Sequence, residues 1–182
     1  MLTATLNGWS AASRKPGGRI TSVVAEVIGH PPEWYGTSRL ASWQCRRLRS
    51  WLVAHQDSSE SLLLVGKSLG GWHMLTRVVN LLPRLEYRRI GLVTVDPCHP
   101  RWWDWAPDRS GDTVPLHSRR VDGCYNLLSG KGSRPRGACV QDSAQFVVDA
   151  DHWTITTHHE TREAIAAMAA RLREQHACGG EL

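Results

Sequence analysis

A serine between two glycines could act as a nucleophile. Residues 62–72 read LLLVGKSLGGW, so an apolar run leads into Gly66, Ser68 and Gly70. The spacing fits G-x-S-x-G, in which the serine sits on a sharp turn between a strand and a helix. Glycines on both sides let the strand and the helix pass closely, because they lack a Cβ atom. The pattern favours acyl-transfer chemistry, and the alternative is a glycine-bearing loop with an incidental serine.

The letters GKS also end the phosphate-binding loop G-x-x-x-x-G-K-[ST]. The first glycine of that loop would fall at Ser61, and the four intervening residues would be Leu62 to Val65. A solid apolar run predicts a buried strand and not an open loop around phosphates. The sequence therefore favours the nucleophile turn.

A serine nucleophile needs a base and an acid from neighbouring strand ends. A histidine must accept the hydroxyl proton, and a carboxylate must hold that histidine in the right tautomer. Asp96 stands at the carboxyl end of the predicted strand 89–96, and His152 lies just beyond the predicted strand 144–150. Ser68, Asp96 and His152 are therefore the candidate catalytic residues.

Alternatives exist for both partners of the serine. Asp96 precedes a proline and could simply start a turn. Asp149 is the reserve acid, although it shares a strand end with His152 and would have difficulty reaching back to the ring. Three other histidines are rivals for the base: His99, His158 and His159.

Strand and helix patterns alternate along the chain, which predicts an α/β fold with a mainly parallel sheet. The predicted strands are 2–8, 61–66, 89–96, 121–130 and 144–150, and the predicted helices are 39–56, 69–82 and 157–177. Residues 21–29 are ambiguous, with valines that favour a strand, and 30–38 reads as a loop. We expect a three-layer α/β/α sandwich in one domain, 1–182, with the Trp-rich loop 98–120 inside it. Sites on such sheets gather at the carboxyl ends of the strands.

Three local motifs, GKSLGG, VTVDP and DHWTI, together resemble a small α/β-hydrolase-fold serine hydrolase of the lipase or esterase kind. The resemblance covers nearly the whole chain, and the order serine, aspartate, histidine is that of α/β-hydrolases. It implies a minimal version of that fold, with Ser68 as nucleophile, Asp96 as acid and His152 as base. The Asp-Pro context matches lipases of the pancreatic type, whose acid follows this earlier strand.

The sequence LNGW resembles the turn after the first core strand of lipases. In that family the residue after the glycine donates a backbone N–H to the oxyanion hole, and here that residue is Trp9. The residue after the nucleophile, Leu69, would supply the second N–H. Asn7 stands where the family usually has histidine.

Several of the nine tryptophans fall near the candidate site. Trp102 and Trp103 lie in the polar loop 98–120, and Trp153 directly follows His152. We expect them to line an apolar site for an acyl or aryl group. The alternative is ordinary packing.

Composition limits the other classes of function. Apolar residues make up 41% of the 182 residues, an ordinary globular balance, and no apolar run approaches the ~20 residues of a membrane span. No signal segment is visible, so we expect a cytoplasmic protein. Five cysteines without a C-x-x-C pair give no support for a metal site or a redox motif. The triad mechanism would need neither a metal nor an organic cofactor.

Basic residues give a net charge of +5 but are dispersed in small groups. They predict a solvated surface with, at most, a weak attraction to anionic surfaces. No nucleic-acid fold pattern accompanies them, so we expect no nucleic-acid partner.

The sequence therefore predicts a carboxylic ester hydrolase that forms an acyl-enzyme on a small-molecule or lipid ester. A thioesterase or acyltransferase would use the same residues. A non-catalytic binding protein with this fold is the alternative from another class.

Overall fold

A computed structural model describes residues 1–8, 19–36, 42–98, 113–114, 116, 120–131 and 137–174. The strands in this part of the chain are β1 (Leu2–Asn7), β2 (Glu33–Gly36), β3 (Ser61–Lys67), β4 (Arg89–Val95), β5 (Thr113–Val114), β6 (Gly123–Ser129), β7 (Cys139–Val140) and β8 (Ala144–Val148). The α-helices are α1 (Arg19–Ile28), α2 (Ser42–Ala54), α3 (Leu69–His73) and α4 (His159–Arg173). Helix α3 continues into a π-helical turn, Met74–Val78, and a 3₁₀ segment, Val79–Arg84. A further 3₁₀ turn, Ile155–Thr157, precedes α4.

Six of the strands form one parallel sheet in the order β2-β1-β3-β4-β6-β8. The chain starts at β1, moves to one side for β2, and then crosses to the other side for β3. The order therefore reverses between β1 and β3. In open α/β sheets, ligands bind at such a switch point, outside the carboxyl ends of the strands.

The core has two halves because the strands are covered on both faces. Leu62 and Leu64 of β3 pack on the side of α2 and the helical segment 74–84. Leu63 and Val65 pack on the side of α1 and α4. The unbroken apolar run of β3 is typical of a parallel strand that is buried on both sides. The three-layer α/β/α sandwich predicted from the sequence is confirmed.

The preference for a strand over 21–29 is wrong, because helix α1 occupies 19–28. Ile20, Val23, Val24 and Ile28 have helical spacing and are all buried against the sheet. Burial of this face outweighs the strand preference of the β-branched valines.

The loop predicted at 30–38 contains the short edge strand β2. Four residues pair with β1, from Ala4 opposite Glu33 to Asn7 opposite Gly36. An edge strand needs hydrogen bonds on one side only, so a four-residue stretch after two prolines can serve. The predicted loop 98–120 also holds one short strand, β5, which pairs with β7, while most of that loop lies outside the described residues.

No helix in the described part of the chain has the length and apolar character needed to cross a membrane.

Candidate functional site

Ser68 forms the turn between β3 and α3 with an unusual backbone conformation. Its φ of 55° and ψ of −129° put it in a region that costs a residue with a Cβ atom about 1–3 kcal/mol. The turn is held from both sides: the Ser68 N–H donates to the Val95 carbonyl at 2.9 Å, and the Ser68 carbonyl accepts the N–H groups of Trp72 and Cys98, each at 3.1 Å. The end of β4 and the start of α3 therefore maintain this strained conformation.

The glycines around Ser68 are required by close backbone contacts. A Cβ atom on Gly66 would lie 2.8 Å from the Gly71 Cα atom, and one on Gly70 would lie 2.0 Å from the Leu6 carbonyl oxygen. The G-x-S-x-G spacing thus lets α3 pack directly on β3 and on the end of β1.

The turn after β1 also touches the serine. A Cβ atom on Gly8 would lie 2.6 Å from the Ser68 Cβ atom. The Asn7 side chain donates to the Thr21 hydroxyl of α1 at 2.9 Å, so the end of β1 is tied to a helix. Leu69 is the first residue of α3, where backbone N–H groups have no intrahelical acceptor. Trp9, the other predicted donor of the oxyanion hole, lies outside the described residues.

Asp96 follows β4 directly and is fully buried. It too has a positive φ, 49°, and its N–H donates to the Leu127 carbonyl at 2.7 Å. Oδ1 accepts the N–H groups of Ser129 at 3.0 Å and Gly137 at 2.8 Å, and Oδ2 accepts the Ser129 hydroxyl at 2.9 Å. These donors fix the carboxylate in one orientation.

His152 makes the fourth contact with this carboxylate. Its Nδ1 lies 2.5 Å from Asp96 Oδ2, and the ring is 3% exposed. Since a carboxylate oxygen is an acceptor, Nδ1 carries the proton, and in the neutral ring Nε2 keeps the lone pair. The contact therefore selects the tautomer that a general base needs.

The rival residues lie elsewhere. Asp149 is exposed and pairs with Lys131 at 2.6 Å. His158 faces Glu160 at 3.8 Å, and the His159 ring lies beside the His158 ring. His99 is outside the described residues. The structure thus brings Asp96, and not Asp149, to His152.

Cys98 lies between these groups. Its Sγ donates to the Asp96 carbonyl at 3.1 Å, lies 3.8 Å from His152 Nδ1, and has a hydrogen bond with the Ser68 side chain. Burial and then the Asp96 charge raise the pKa of this thiol well above its usual value, while the Ser68 hydrogen bond and Lys67 act in the opposite direction. The thiol is therefore protonated near neutral pH and is a poor nucleophile. Among the described residues, the contacts of the Ser68 side chain include Cys98.

Asp96, Cys98 and His152 also offer oxygen, sulfur and nitrogen atoms within 4.8 Å of one another. A metal ion there would need the thiolate of Cys98 and would displace the hydrogen bond between Asp96 and His152. Because the Cys98 thiol is protonated and the Asp96 carboxylate is already hydrogen-bonded to His152, these residues suit acid–base chemistry better than metal binding.

Three supporting residues were not found from the sequence: Cys98, Ser129 and Gly137. Ser129 ends the strand beside β4, so strand adjacency alone could have suggested it. Cys98 follows Asp96 by two residues, but its position beside Ser68 depends on the path of the chain after Pro97. Gly137 comes from a distant segment, and no local signal points to it.

Only one of the predicted substrate-binding tryptophans can be located. Trp153 is 53% exposed, and its ring packs edge-to-face on the His152 ring with centroids 5.2 Å apart. Trp102 and Trp103 lie outside the described residues.

No protein-family model and no curated protein sequence matches this chain. A functional interpretation therefore depends on the geometry of the site itself.

Proposed function

We propose that this chain is a serine hydrolase that cleaves carboxylic esters, with Ser68 as nucleophile, His152 as general base and Asp96 as the group that orients His152. One observation carries the proposal: the buried hydrogen bond between His152 and Asp96 lies beside a serine in a strained strand-to-helix turn. The three residues follow β3, β4 and β8, so they come from the carboxyl ends of three different strands of the same sheet. The resemblance of the three sequence motifs to α/β-hydrolase-fold enzymes supports the same roles.

In the proposed reaction, the Ser68 Oγ attacks the ester carbonyl carbon while His152 Nε2 takes the hydroxyl proton. The bond from the carbonyl carbon to the alcohol oxygen then breaks, and His152 returns the proton to the leaving alcohol. Water repeats the sequence on the acyl-serine and releases the acid and free Ser68. Asp96 stays ionised throughout and stabilises the imidazolium that forms twice.

The oxyanion would be held by the backbone N–H groups of Leu69 and Trp9. Support comes from the contact of Gly8 with Ser68, because it brings the turn after β1 against the nucleophile. A donor of this kind contributes about 3–4 kcal/mol to the transition state.

The proposal requires the Ser68 hydroxyl to turn from Cys98 towards His152 Nε2. The hydroxyl would turn by rotation about the Cα–Cβ bond of Ser68, and catalytic hydrogen bonds commonly tighten only when the substrate is bound. The protonated Cys98 then remains a neutral neighbour of the reacting groups.

For the substrate, we propose a small-molecule or lipid ester with an apolar acyl or aryl group. The half-exposed indole of Trp153 beside His152 supports this class, because an aromatic surface next to the base favours apolar groups. A fully polar ester would gain little from it.

Hydrolysis of p-nitrophenyl butyrate by purified protein tests the proposal. Ser68→Ala should lower kcat by at least about a thousandfold, because the residues of such a catalytic unit act together. Ser59→Ala is the matched control, since Ser59 is exposed and bonds only locally to Asp57, and it should leave kcat unchanged. Equal turnover by wild type and Ser68→Ala would refute the proposed role of the serine.

A further inference from the structure

A basic groove runs between α2 and the helical segment 74–84, on the outer surface of one helix layer. Its volume is about 570 Å³, and four arginines line it: Arg46, Arg49, Arg77 and Arg84. Arg46 and Arg49 are one helical turn apart on α2 and so share a helix face, and Arg77 and Arg84 line the groove from the other segment. We call this feature the arginine groove.

The arginines from the two segments converge. Burial raises the pKa of the Cys45 thiol at the floor of the groove, while the charges of Arg77 and Arg49 act in the opposite direction. Arg49 of α2 and Arg77 of the segment 74–84 line the groove together with the buried Cys45, so arginines of two different segments share one groove.

Among the described residues, the arginines of the groove have no acidic side chain beside them in its lining. Neither 42–54 nor 74–84 contains Asp or Glu. All four arginines are exposed, and none takes part in an ion pair with another described residue. The opposite helix layer differs, since Arg162 of α4 pairs there with Glu26 of α1 at 2.7 Å.

Apolar side chains border the same groove. Val53 is 47% exposed next to Arg46 and Arg49, and Leu81 is half-buried between the two segments. Guanidinium groups bind phosphate through paired hydrogen bonds, and apolar side chains beside them suit the boundary between lipid headgroups and acyl chains. A nucleotide base would need a stacking surface, and no aromatic side chain lines the groove among the described residues.

We propose that the arginine groove binds the phosphate headgroups of an anionic membrane surface, with Val53 entering the boundary between headgroups and acyl chains. The groove shares no residue with the Ser68 cluster. Membrane binding and ester hydrolysis can therefore be tested separately, and a negative result for one proposal does not contradict the other.

Co-sedimentation of the full chain with lipid vesicles tests the proposal. The protein should bind vesicles of phosphatidylcholine with about 30% phosphatidylglycerol, should not bind pure phosphatidylcholine, and should dissociate as salt rises. Arg49→Gln combined with Arg77→Gln should weaken binding by about 25-fold, about fivefold for each arginine. Ser68→Ala should bind like the wild type.

The control is the pair Arg162→Gln and Arg173→Gln on the opposite layer, which removes the same net charge. It should change binding by no more than about twofold, because those side chains are on the face turned away from the membrane. Val53→Ser should weaken binding several-fold at unchanged charge, since it removes apolar contact with the acyl boundary.

Three results would overturn the proposal. The first is equal loss of binding in both arginine pairs, which would indicate a response to net charge alone. The second is equal binding to both kinds of vesicle. The third is binding of single-stranded RNA through Arg49 and Arg77 without vesicle binding, which would assign the groove to nucleic acid.

Discussion

At the scale of single residues, several hydrogen bonds hold the Asp96 carboxylate in one orientation. Ser129 and Gly137 fix it from one side, and His152 occupies the remaining direction of Oδ2. Its own backbone has a positive φ, as does that of Ser68. Strain at two neighbouring strand ends, each over-determined by hydrogen bonds, is typical of functional sites.

This geometry predicts a large effect for one aspartate substitution and almost none for another. Asp96→Asn should lower kcat on an activated ester by about 10⁴-fold, because an amide N–H facing Nδ1 favours the wrong tautomer of His152. Asp149→Asn removes only an exposed contact with Lys131 and should change kcat by less than about twofold. Circular dichroism of both variants checks that the fold is kept. A damaging Asp149→Asn with a mild Asp96→Asn would place the acid on the other strand.

The sequence placed Ser68, Asp96 and His152 because each follows a strand with a clear apolar pattern. The contact between Asp96 and His152 could be anticipated only as far as the carboxyl ends of parallel strands lie on the same side of a sheet. The role of Cys98 could not be predicted from the sequence, because it depends on the path of the chain after Pro97. Along this path the Cys98 N–H donates a hydrogen bond to the Ser68 carbonyl. The step of two residues from Asp96 to Cys98 is too short to show a periodic sequence pattern.

At the scale of elements, the site depends on how closely β1, β3 and α3 approach one another. Gly70 packs on the Leu6 carbonyl, and Gly66 packs on Gly71, so the backbone atoms of three elements are in direct contact. The position of Ser68 relative to the turn after β1 follows from these contacts.

Gly70→Ala should therefore destabilise the protein strongly. The new Cβ atom would lie 2.0 Å from the Leu6 carbonyl oxygen, and relief requires β1 to move away from α3. We expect a loss of about 3 kcal/mol or more in the free energy of unfolding, measured by urea denaturation. Gly123→Ala is the control: its Cβ atom would lie 3.2 Å from the flexible end of Met168, so the change should stay within about 1 kcal/mol. Equal losses in the two variants would contradict the close packing of β1 on α3.

Elements with a single dominant pattern could be predicted, and those decided by tertiary contacts could not. Strand β3 and helix α4 follow from an apolar run and from helical spacing. Helix α1 is rich in β-branched residues, and only the burial of its Ile20–Ile28 face against the sheet makes it a helix. The short strand β2 exists because β1 offers it a free edge.

At the scale of the whole molecule, one sheet connects two surfaces with different chemistry. The strand ends collect Ser68, Asp96 and His152 from segments far apart in the sequence. The outer surface of α2 and the segment 74–84 carries the arginine groove, whose lining contains no acidic residue in the part of the chain that the structure describes. The composition shows the net charge of +5 but not that four arginines line one groove, because that depends on which helices become neighbours. The strand order, and with it the switch point beside Ser68, likewise required long-range pairing.

The central claim is that Ser68 is an activated nucleophile, and labelling with a fluorophosphonate probe followed by peptide mapping tests it most directly. The probe reports the reactivity of the serine without knowledge of the substrate. We predict a covalent adduct on Ser68 that is lost in Ser68→Ala and retained in Cys98→Ala, since the buried Cys98 thiol is protonated and is not the attacking group. An adduct on another residue, or labelling that persists in Ser68→Ala, would contradict the claim.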